Sequence, residues 1–452
     1  MKNCKKIIPN LWNIYMLFTR DPYVVYMSKE LEYYASSSMN LLGLISLDLT
    51  DNDYSVAIMS RDESKQYRAV EFAVSIETIQ EARKWIDKNM GDIEVVIHDK
   101  STFFNLFNVV ANKKQLSNKF EILKNHISQL AAKEVIREIG YHYKDIDGNF
   151  IDQFQSKNGF DARFWELFLY CVFREEGFRF NRNSFSPDYM IEKFDERIAV
   201  EAVIISDKSN DNVSELLPKN DKEWEARMEK IKKKLENEMP LKFGSALFSK
   251  LQKKYWELDH VKDLPFIIAI ADFHKFMSMT WSQSAIIDFL YGYRYDHKLI
   301  DNNLKIKPIK IDAFTKSNGV KIPAGFFNQK DVENISAILC STTGTIGKFN
   351  RMGKQAGLGS EKSTIIRQGT CHNFELNAVE PNSFKYIVSE NSNEKWTEGA
   401  ILYHNPNAKI PINPNLFPSF AHYFLENKIV KSVLPNFFPY ASTNLNMLAK
   451  DK

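Results

Sequence analysis

The sequence is short of cysteine and has no spacing that would join its cysteines into a site. The four cysteines are Cys4, Cys171, Cys340 and Cys371, and none of them forms a CxxC pair. Cys171 lies in an apolar helical stretch, where a thiol is typical of a small core residue. This usage favours a reducing, cytoplasmic setting.

Long apolar runs, repeats and low-complexity tracts are also missing. No stretch approaches the ~18 consecutive apolar residues that a membrane span requires. The basic start at residues 1–10 is interrupted by Pro9 and Asn10 before a signal-like run can form. We therefore expect an unprocessed chain with no membrane partner, and the absence of a fixed period argues against a solenoid.

Neither sign of charge dominates the chain. It has 60 basic and 57 acidic residues, a net charge of +3, so any affinity for nucleic acid must come from local clustering. The chain has 452 residues, of which 44% are hydrophobic and 26% charged, a composition typical of globular proteins. Its length is enough for two or three domains with cores.

Signatures of several enzyme classes are absent. The nine histidines show no HxxxH or HExxH spacing, so a zinc hydrolase is not supported. No nucleophile-elbow sequence indicates a serine triad. The glycine-rich, basic segment at residues 344–357 is not a Walker A motif. We interpret it as a flexible surface loop or as a weak phosphate contact.

Composition and turn signals divide the chain into three modules. Residues 1–150 predict an α+β module with a helical connector, including a strand at 93–98, and turn chemistry at 144–149 marks its end. Residues 151–300 predict a helix at 161–176, strands at 178–180, at Asp188 and at Glu201, helices at 223–238 and 244–256, and a strand at 265–270. Residues 301–452 predict an α/β module of unknown role.

Three carboxylates of the middle module stand in apolar surroundings. Glu166 lies inside the apolar helix, Asp188 follows Pro187 at a strand entry, and Glu201 interrupts the apolar run 198–205. Burying an unpaired carboxylate costs several kcal/mol or more, so a positive group should collect them. An oxygen-rich pocket of this kind suits Mg²⁺ or Mn²⁺.

Each acid also has a simpler interpretation. Arg163 or Arg174 projects on the same side of the helix and could neutralise Glu166. An aspartate after proline is common turn chemistry, where its oxygens accept backbone hydrogen bonds. Glu201 is harder to explain in this way, because it lies in a run typical of a strand covered on both faces.

Lysines near these acids could supply the cation that a hydrolytic site needs. On the predicted helix 244–256, Lys250 and Lys254 project within the apolar arc, which indicates either a catalytic role for Lys250 or snorkelling of both. Residues 230–254 contain eight lysines and two glutamates, a local charge of +6. This cluster predicts contacts with a nucleic acid or, alternatively, a solvated helix face. The proposed contacts are Lys232, Lys233, Lys253 and Lys254.

The order of elements, together with Glu166, Pro187-Asp188 and Glu201, resembles the PD-(D/E)XK nuclease superfamily over residues 152–275. The resemblance implies a restriction-endonuclease-like core of helix, three strands, helix and strand, within a chain that is α/β, or α+β overall. The basic helix 223–238 would be an insertion. One departure is Val203, where the family usually has lysine. Lys250 would then be the migrated lysine.

The resemblance implies a Mg²⁺- or Mn²⁺-dependent phosphodiesterase, with DNA favoured over RNA and defence against foreign DNA as an analogy from the fold. Asp188 and Glu201 would hold metal, Glu166 a second metal or a metal-bound water, and Lys250 would steady the nucleophile. A homodimer or partner proteins are compatible with the sequence. The alternative is a catalytically inactive nuclease-fold protein that binds nucleic acid or acts as a sensor, with Val203 marking lost chemistry.

Overall fold

The computed structural model describes residues 2–93, 103–181, 184–206, 220–275, 277–300 and 303–449. Within them the chain is a mixed α+β protein with several helices and several sheets. The strand predicted at residues 93–98 lies, except for its first residue, outside this part of the chain. No helix in the described ranges has the length and apolar content that crossing a membrane would require.

The α-helices are distributed along the whole chain. They are α1 (Pro9–Met16), α2 (Ile79–Asp92), α3 (Asn118–Asn125), α4 (Leu130–His142), α5 (Phe150–Gln155), α6 (Phe160–Glu175), α7 (Asp221–Lys233), α8 (Met239–Leu251), α9 (Gln283–Tyr291) and α10 (Ile346–Gln355). A π-helical turn, Lys234–Glu238, connects α7 to α8. The predicted basic helix at 223–238 corresponds to α7 and this turn.

The N-terminal residues form an antiparallel sheet of five sequential strands. They are β1 (Lys5–Lys6), β2 (Ser28–Ala35), β3 (Leu41–Asp48), β4 (Tyr54–Arg61) and β5 (Tyr67–Ile76). Helix α2 covers one face of this sheet with Ala82, Ile86 and Met90. Thr78 and Glu81 form a capping box that begins α2, so its N-terminal backbone donors are satisfied locally.

A central sheet of eight strands positions the candidate site. Its strands are β6 (Arg179–Asn181), β7 (Tyr189–Lys193), β8 (Glu196–Ser206), β9 (Phe266–Phe273), β14 (Ala337–Ser341), β17 (Ala400–His404), β18 (Ala421–Glu426) and β19 (Ile429–Val433). Their spatial order is β19-β18-β17-β14-β9-β8-β7-β6. The pairs β8–β9, β9–β14 and β17–β18 are parallel. Because four of these strands come from residues 337–433, the sheet crosses the boundary predicted at residue 300.

Three smaller sheets complete the fold. Two are hairpins, β10 (Tyr293–Ile300) with β11 (Asn303–Lys310) and β12 (Ala313–Thr315) with β13 (Lys321–Pro323). The third has the order β16-β15-β20, formed by β15 (Ser363–Cys371), β16 (Asn382–Ile387) and β20 (Pro439–Leu448). All pairs in these sheets are antiparallel.

Alternate residues of the central strands face two separate cores. On β9, Ile267 and Ala269 pack in the core that contains α6, whereas Ile268 and Ile270 pack in the core that contains α8 and α9. Both faces are covered, which is the arrangement expected for parallel strands made of continuous apolar runs. Helices α6 and α8 therefore lie on opposite faces of one sheet.

The predicted elements around the acids are confirmed except for the limits of one helix. The helix predicted at 161–176 is α6, and the strand predicted at 265–270 lies within β9 apart from its first residue. The helix predicted at 244–256 begins earlier and ends at Leu251. Lys254 has a left-handed backbone with φ of 50°, and Tyr255–Glu257 forms a 3-10 turn.

The basic segment at residues 344–357 is largely helical, so its interpretation as a flexible surface loop is wrong. Most of it forms α10, on which Lys348 and Arg351 are buried. The Lys348 ammonium lies 2.8 Å from Oε1 of Glu394, and Arg351 donates to both oxygens of this carboxylate at 2.7 and 2.8 Å. These cations are neutralised inside the protein and do not face a ligand.

The end of α6 buries an acid whose protonation depends on folding. Glu176 accepts a hydrogen bond at Oε1 from the Ser419 N–H at 3.0 Å. Burial raises its pKa from an ordinary value of 4.5 to about 7. The folded chain holds this proton more tightly than the unfolded chain. The protonated carboxyl therefore contributes to the free energy of unfolding, fully below pH 4.5, and this contribution is lost as the pH rises through 7.

We expect the free energy of unfolding to fall by ~3 kcal/mol more in the wild type than in Glu176→Gln between about pH 4 and about pH 8. Glutamine keeps the size of the side chain and an acceptor for Ser419, but it has no proton to lose in this range. Urea unfolding of both proteins at the two pH values measures the difference. Equal losses would contradict a raised pKa at Glu176.

Candidate active site

Helix α6 places Glu166 in the core, beside an arginine one turn earlier. The Arg163 guanidinium donates to both oxygens of Glu166, at 3.1 and 3.0 Å, and the Tyr143 hydroxyl donates to Oε2 at 3.3 Å. Arg174 instead donates to the backbone carbonyl oxygens of Leu17 and Phe18. Of the two arginines that could neutralise Glu166, Arg163 is the one in contact with it.

Asp188 stands immediately before β7 and is connected to β8 by two hydrogen bonds. Its backbone N–H donates to Oε2 of Glu201 at 3.3 Å, and its Oδ2 accepts from the Ala202 N–H at 2.7 Å. Burial raises the pKa of the Asp188 carboxyl well above its ordinary range, and the negative charges of Glu166 and Glu201 raise it further. The surroundings of Asp188 thus have an excess of negative charge that a bound cation would relieve.

Glu201 lies in the middle of β8, buried on the face that packs against α8. Its Oε1 accepts two hydrogen bonds, from the Lys250 ammonium at 2.5 Å and from the Tyr255 hydroxyl at 2.7 Å. The Glu201 side chain is 6% exposed and that of Lys250 24% exposed. The lysine that the helix projection singled out and the acid in the apolar strand are therefore direct partners.

Val203 occupies the same face of β8 as Glu201. It packs at the edge of the core formed with α8, two residues after the acid. The cation beside Glu201 comes from the last turn of α8 and not from β8 itself. A lysine at position 203 and the lysine at 250 would approach the site from the same side of the sheet.

The lysines predicted to contact nucleic acid are all on the surface. Lys254 is not in the apolar arc, because α8 ends before it, and its ammonium pairs with Glu257 at 3.0 Å. Lys233 pairs with Glu229 at 2.8 Å, and Lys232 and Lys253 are exposed. Residues 221–238 contain six basic and six acidic side chains, so this helical segment is balanced in charge.

Two tyrosines of the site were not predicted from the sequence. Tyr255 falls within the helix predicted at 244–256, but its hydroxyl reaches Glu201 from the 3-10 turn that follows α8. Burial raises the pKa of this phenol above its ordinary value of 10, and the Glu201 carboxylate raises it further. Tyr255 is therefore a hydrogen-bond donor at neutral pH. Tyr143, the second, is separated from Glu166 by 23 positions, and no local signal connects them.

The donor set at Asp188 and Glu201 fits a divalent ion that prefers oxygen. Both residues offer carboxylate oxygens, and Oε2 of Glu201 is on the side of Asp188, whereas Oε1 is used by Lys250 and Tyr255. Glu166 gives both oxygens to Arg163, so this arrangement provides a pair of ligands and not a triad.

Among the described residues, one group of three acids has ligand oxygens all within 4.8 Å of one another, and it is elsewhere. It consists of Asp48, Asp51 and Asp53 at the turn between β3 and β4. These side chains are exposed or half-buried, as solvated acids in turns commonly are.

Comparison of the chain with protein-family models, with curated proteins and with solved structures gives no match.

Proposed function

We propose that this chain is a Mg²⁺-dependent nuclease that hydrolyses phosphodiester bonds in DNA. The observation that carries the proposal is the cluster of Asp188, Glu201 and Lys250. The buried Glu201, the half-buried Asp188 and Lys250 meet where β7, β8 and the end of α8 come together. Acids next to a lysine match the requirements of metal-assisted hydrolysis, which needs oxygen ligands and a cation for developing negative charge.

The order of elements supports the same proposal. Helix α6, strands β6, β7 and β8, helix α8 and strand β9 occur in the order helix, three strands, helix and strand, if α7 and the π-helical turn between β8 and α8 are taken as an insertion. The acids Glu166, Asp188 and Glu201 stand on the first helix, at the start of the second strand and on the third strand. We therefore propose a core of the PD-(D/E)XK type, in which the lysine has moved from position 203 to Lys250.

Each residue has a separate task in the proposed reaction. Asp188 and Glu201 would hold a divalent ion, which supplies Lewis-acid polarisation of the phosphate when bound. Lys250 would donate a hydrogen bond from its ammonium, without giving up the proton, to the attacking water or to a phosphate oxygen, and its positive charge would offset the negative charge that develops on the phosphate. Arg163 balances Glu166, so this carboxylate adds no uncompensated charge to the site.

A cleavage assay with the purified chain tests the proposal. Supercoiled plasmid should be nicked or linearised with Mg²⁺ or Mn²⁺ and remain intact with EDTA. A parallel reaction on single-stranded RNA measures the preference between the two nucleic acids. If both plasmid and RNA stay intact at every metal concentration, the proposed nuclease activity is contradicted.

The position of the lysine gives a more specific prediction. We expect Lys250→Met to lower the cleavage rate by ~100-fold, because one charged donor of the transition state is lost. Adding Val203→Lys to that variant should raise its cleavage rate at least about tenfold above that of Lys250→Met alone, since residue 203 is on the same face of β8 as Glu201. Lys88→Met, which replaces an exposed lysine on α2 outside the proposed site, is the control and should cleave like the wild type. Cleavage by Lys250→Met at the wild-type rate would contradict the role of this lysine.

The second candidate function is a nuclease-fold protein that binds nucleic acid without cutting it. The observations that favour it are the pairing of Glu166 with Arg163 and the valine at position 203. Calorimetric titration with Mn²⁺ separates the two functions. Metal binding that is lost in Asp188→Ala supports the enzyme, and no binding in the wild type supports the inactive protein.

A further inference from the structure

A break in the helical backbone brings Tyr255 to the candidate site. Helix α8 ends at Leu251, and Lys254 takes a left-handed conformation with φ of 50°. The Tyr255 side chain, in the 3-10 turn Tyr255–Glu257, donates its hydroxyl to Glu201 on β8, and its ring centroid lies 5.7 Å from that of Phe266 on β9.

The two oxygens of Glu201 have different partners. Oε1 accepts from Lys250 and from Tyr255, whereas Oε2 accepts from the Asp188 N–H. Two side-chain donors thus hold Oε1, whereas Oε2 is held by the backbone of the acid with which Glu201 would share an ion. The Tyr255 hydroxyl and the Lys250 ammonium donate to the same oxygen. If one of them moves away, the other still donates a hydrogen bond to Oε1.

We propose that Tyr255 is a positioning residue that makes Lys250 available for the reaction. If the ammonium turns from Glu201 towards water or a phosphate oxygen, the hydroxyl remains as a donor to Oε1. Without the hydroxyl, the same movement would leave a buried carboxylate oxygen unpaired, which is costly. This role rests on the proposed nuclease function, since it concerns the lysine of that reaction.

The test is Tyr255→Phe, which removes the hydroxyl and keeps the ring against Phe266. We expect kcat to fall at least about tenfold, as expected for loss of a hydrogen bond to a charged group. The Mg²⁺ concentration for half-maximal rate should stay within about threefold of wild type, because Oε2 keeps its contact with Asp188. A general loss of structure would change both quantities.

Tyr34→Phe is the matched control, because Tyr34 makes the same kind of contact far from the site. Its hydroxyl donates to Oε2 of Glu32 at 2.5 Å, and Glu32 also pairs with Lys6 at 2.8 Å and Arg83 at 2.6 Å. This variant should keep the wild-type kcat, with any loss limited to thermal stability. The comparison separates removal of a tyrosine–glutamate bond in general from removal of this one.

A double-variant cycle shows whether Tyr255 acts through Lys250. In the Lys250→Met background, Tyr255→Phe should change kcat by less than about twofold, whereas independent effects would multiply. Wild-type kcat in Tyr255→Phe, or an undiminished effect in the Lys250→Met background, overturns the positioning role and leaves the nuclease function intact. If the wild type itself does not cleave with any metal, the nuclease function fails and this role fails with it.

Discussion

Replacing Asp188 with asparagine is expected to reduce Mg²⁺-dependent cleavage by on the order of 10³-fold, and Glu201→Gln should do the same. Both replacements keep the shape of the side chain and remove one charged ligand. Asparagine at 188 still offers an oxygen to the Ala202 N–H, which Asp188 accepts at 2.7 Å. We therefore expect the variants to lose catalytic rate and to keep the fold. Initial rates of plasmid nicking over a range of Mg²⁺ concentrations measure this loss.

The control for this prediction is Asp51→Asn, in the acidic cluster at the β3–β4 turn. That cluster could hold an ion by geometry alone, but it belongs to the N-terminal sheet. Asp51→Asn should cleave like the wild type. Thermal unfolding of Asp188→Asn should be no easier than that of the wild type, because the replacement removes repulsion from Glu166 and Glu201. If both site variants cleave at rates within about threefold of the wild-type rate, Asp188 and Glu201 do not hold a metal that the reaction needs.

Replacing Glu394 with glutamine is expected to lower the free energy of unfolding by about 3–5 kcal/mol. Its carboxylate contacts Lys348 at 2.8 Å, Arg351 at 2.7 Å and Arg367 at 3.5 Å, and all four side chains are at most 1% exposed. Glutamine removes the carboxylate that pairs with Lys348 and Arg351, whereas Arg367 keeps its pair with Glu398, and the uncompensated buried charge is the main cost. Urea unfolding at neutral pH measures this difference.

An exposed ion pair of similar geometry provides the comparison. Glu426 pairs with Lys431 at 2.6 Å, with both side chains more than half exposed. Water solvates these charges in the folded and unfolded chain, so Glu426→Gln should change the stability little. A loss in Glu394→Gln no larger than in Glu426→Gln would mean that the buried cluster is balanced by something other than this carboxylate.

Much of the candidate site could be predicted from local pattern. A carboxylate in an apolar run is visible in the sequence, and the 3.6-residue period was sufficient to place Lys250 on the sheet-facing side of α8. The period failed at Lys254, because no glycine or proline marks the end of the helix at Leu251. The left-handed residue that redirects Tyr255 is a lysine, and the side-chain type gives no signal for it.

The C-terminal part is harder to predict from the sequence, because the residues that contact one another there are far apart in the chain. Glycines and cations at 344–357 resemble a phosphate loop, but the partner of these cations is Glu394, about forty residues later. Strand pairing has the same difficulty. β14 lies beside β9 although more than sixty residues separate them, and hydrophobic pattern alone does not choose a neighbour over that distance.

The place of β14 in the central sheet also limits how the chain can be shortened. All proposed site residues precede residue 260, yet the strand that covers the outer hydrogen-bonding edge of β9 begins at Ala337. A fragment ending near residue 300 would present β9, with seven of its eight residues buried in the whole protein, as a bare apolar edge. Such edges recruit other strands and aggregate. We therefore expect a fragment that ends near residue 300 to self-associate through β9, and the proposed site to require the C-terminal strands.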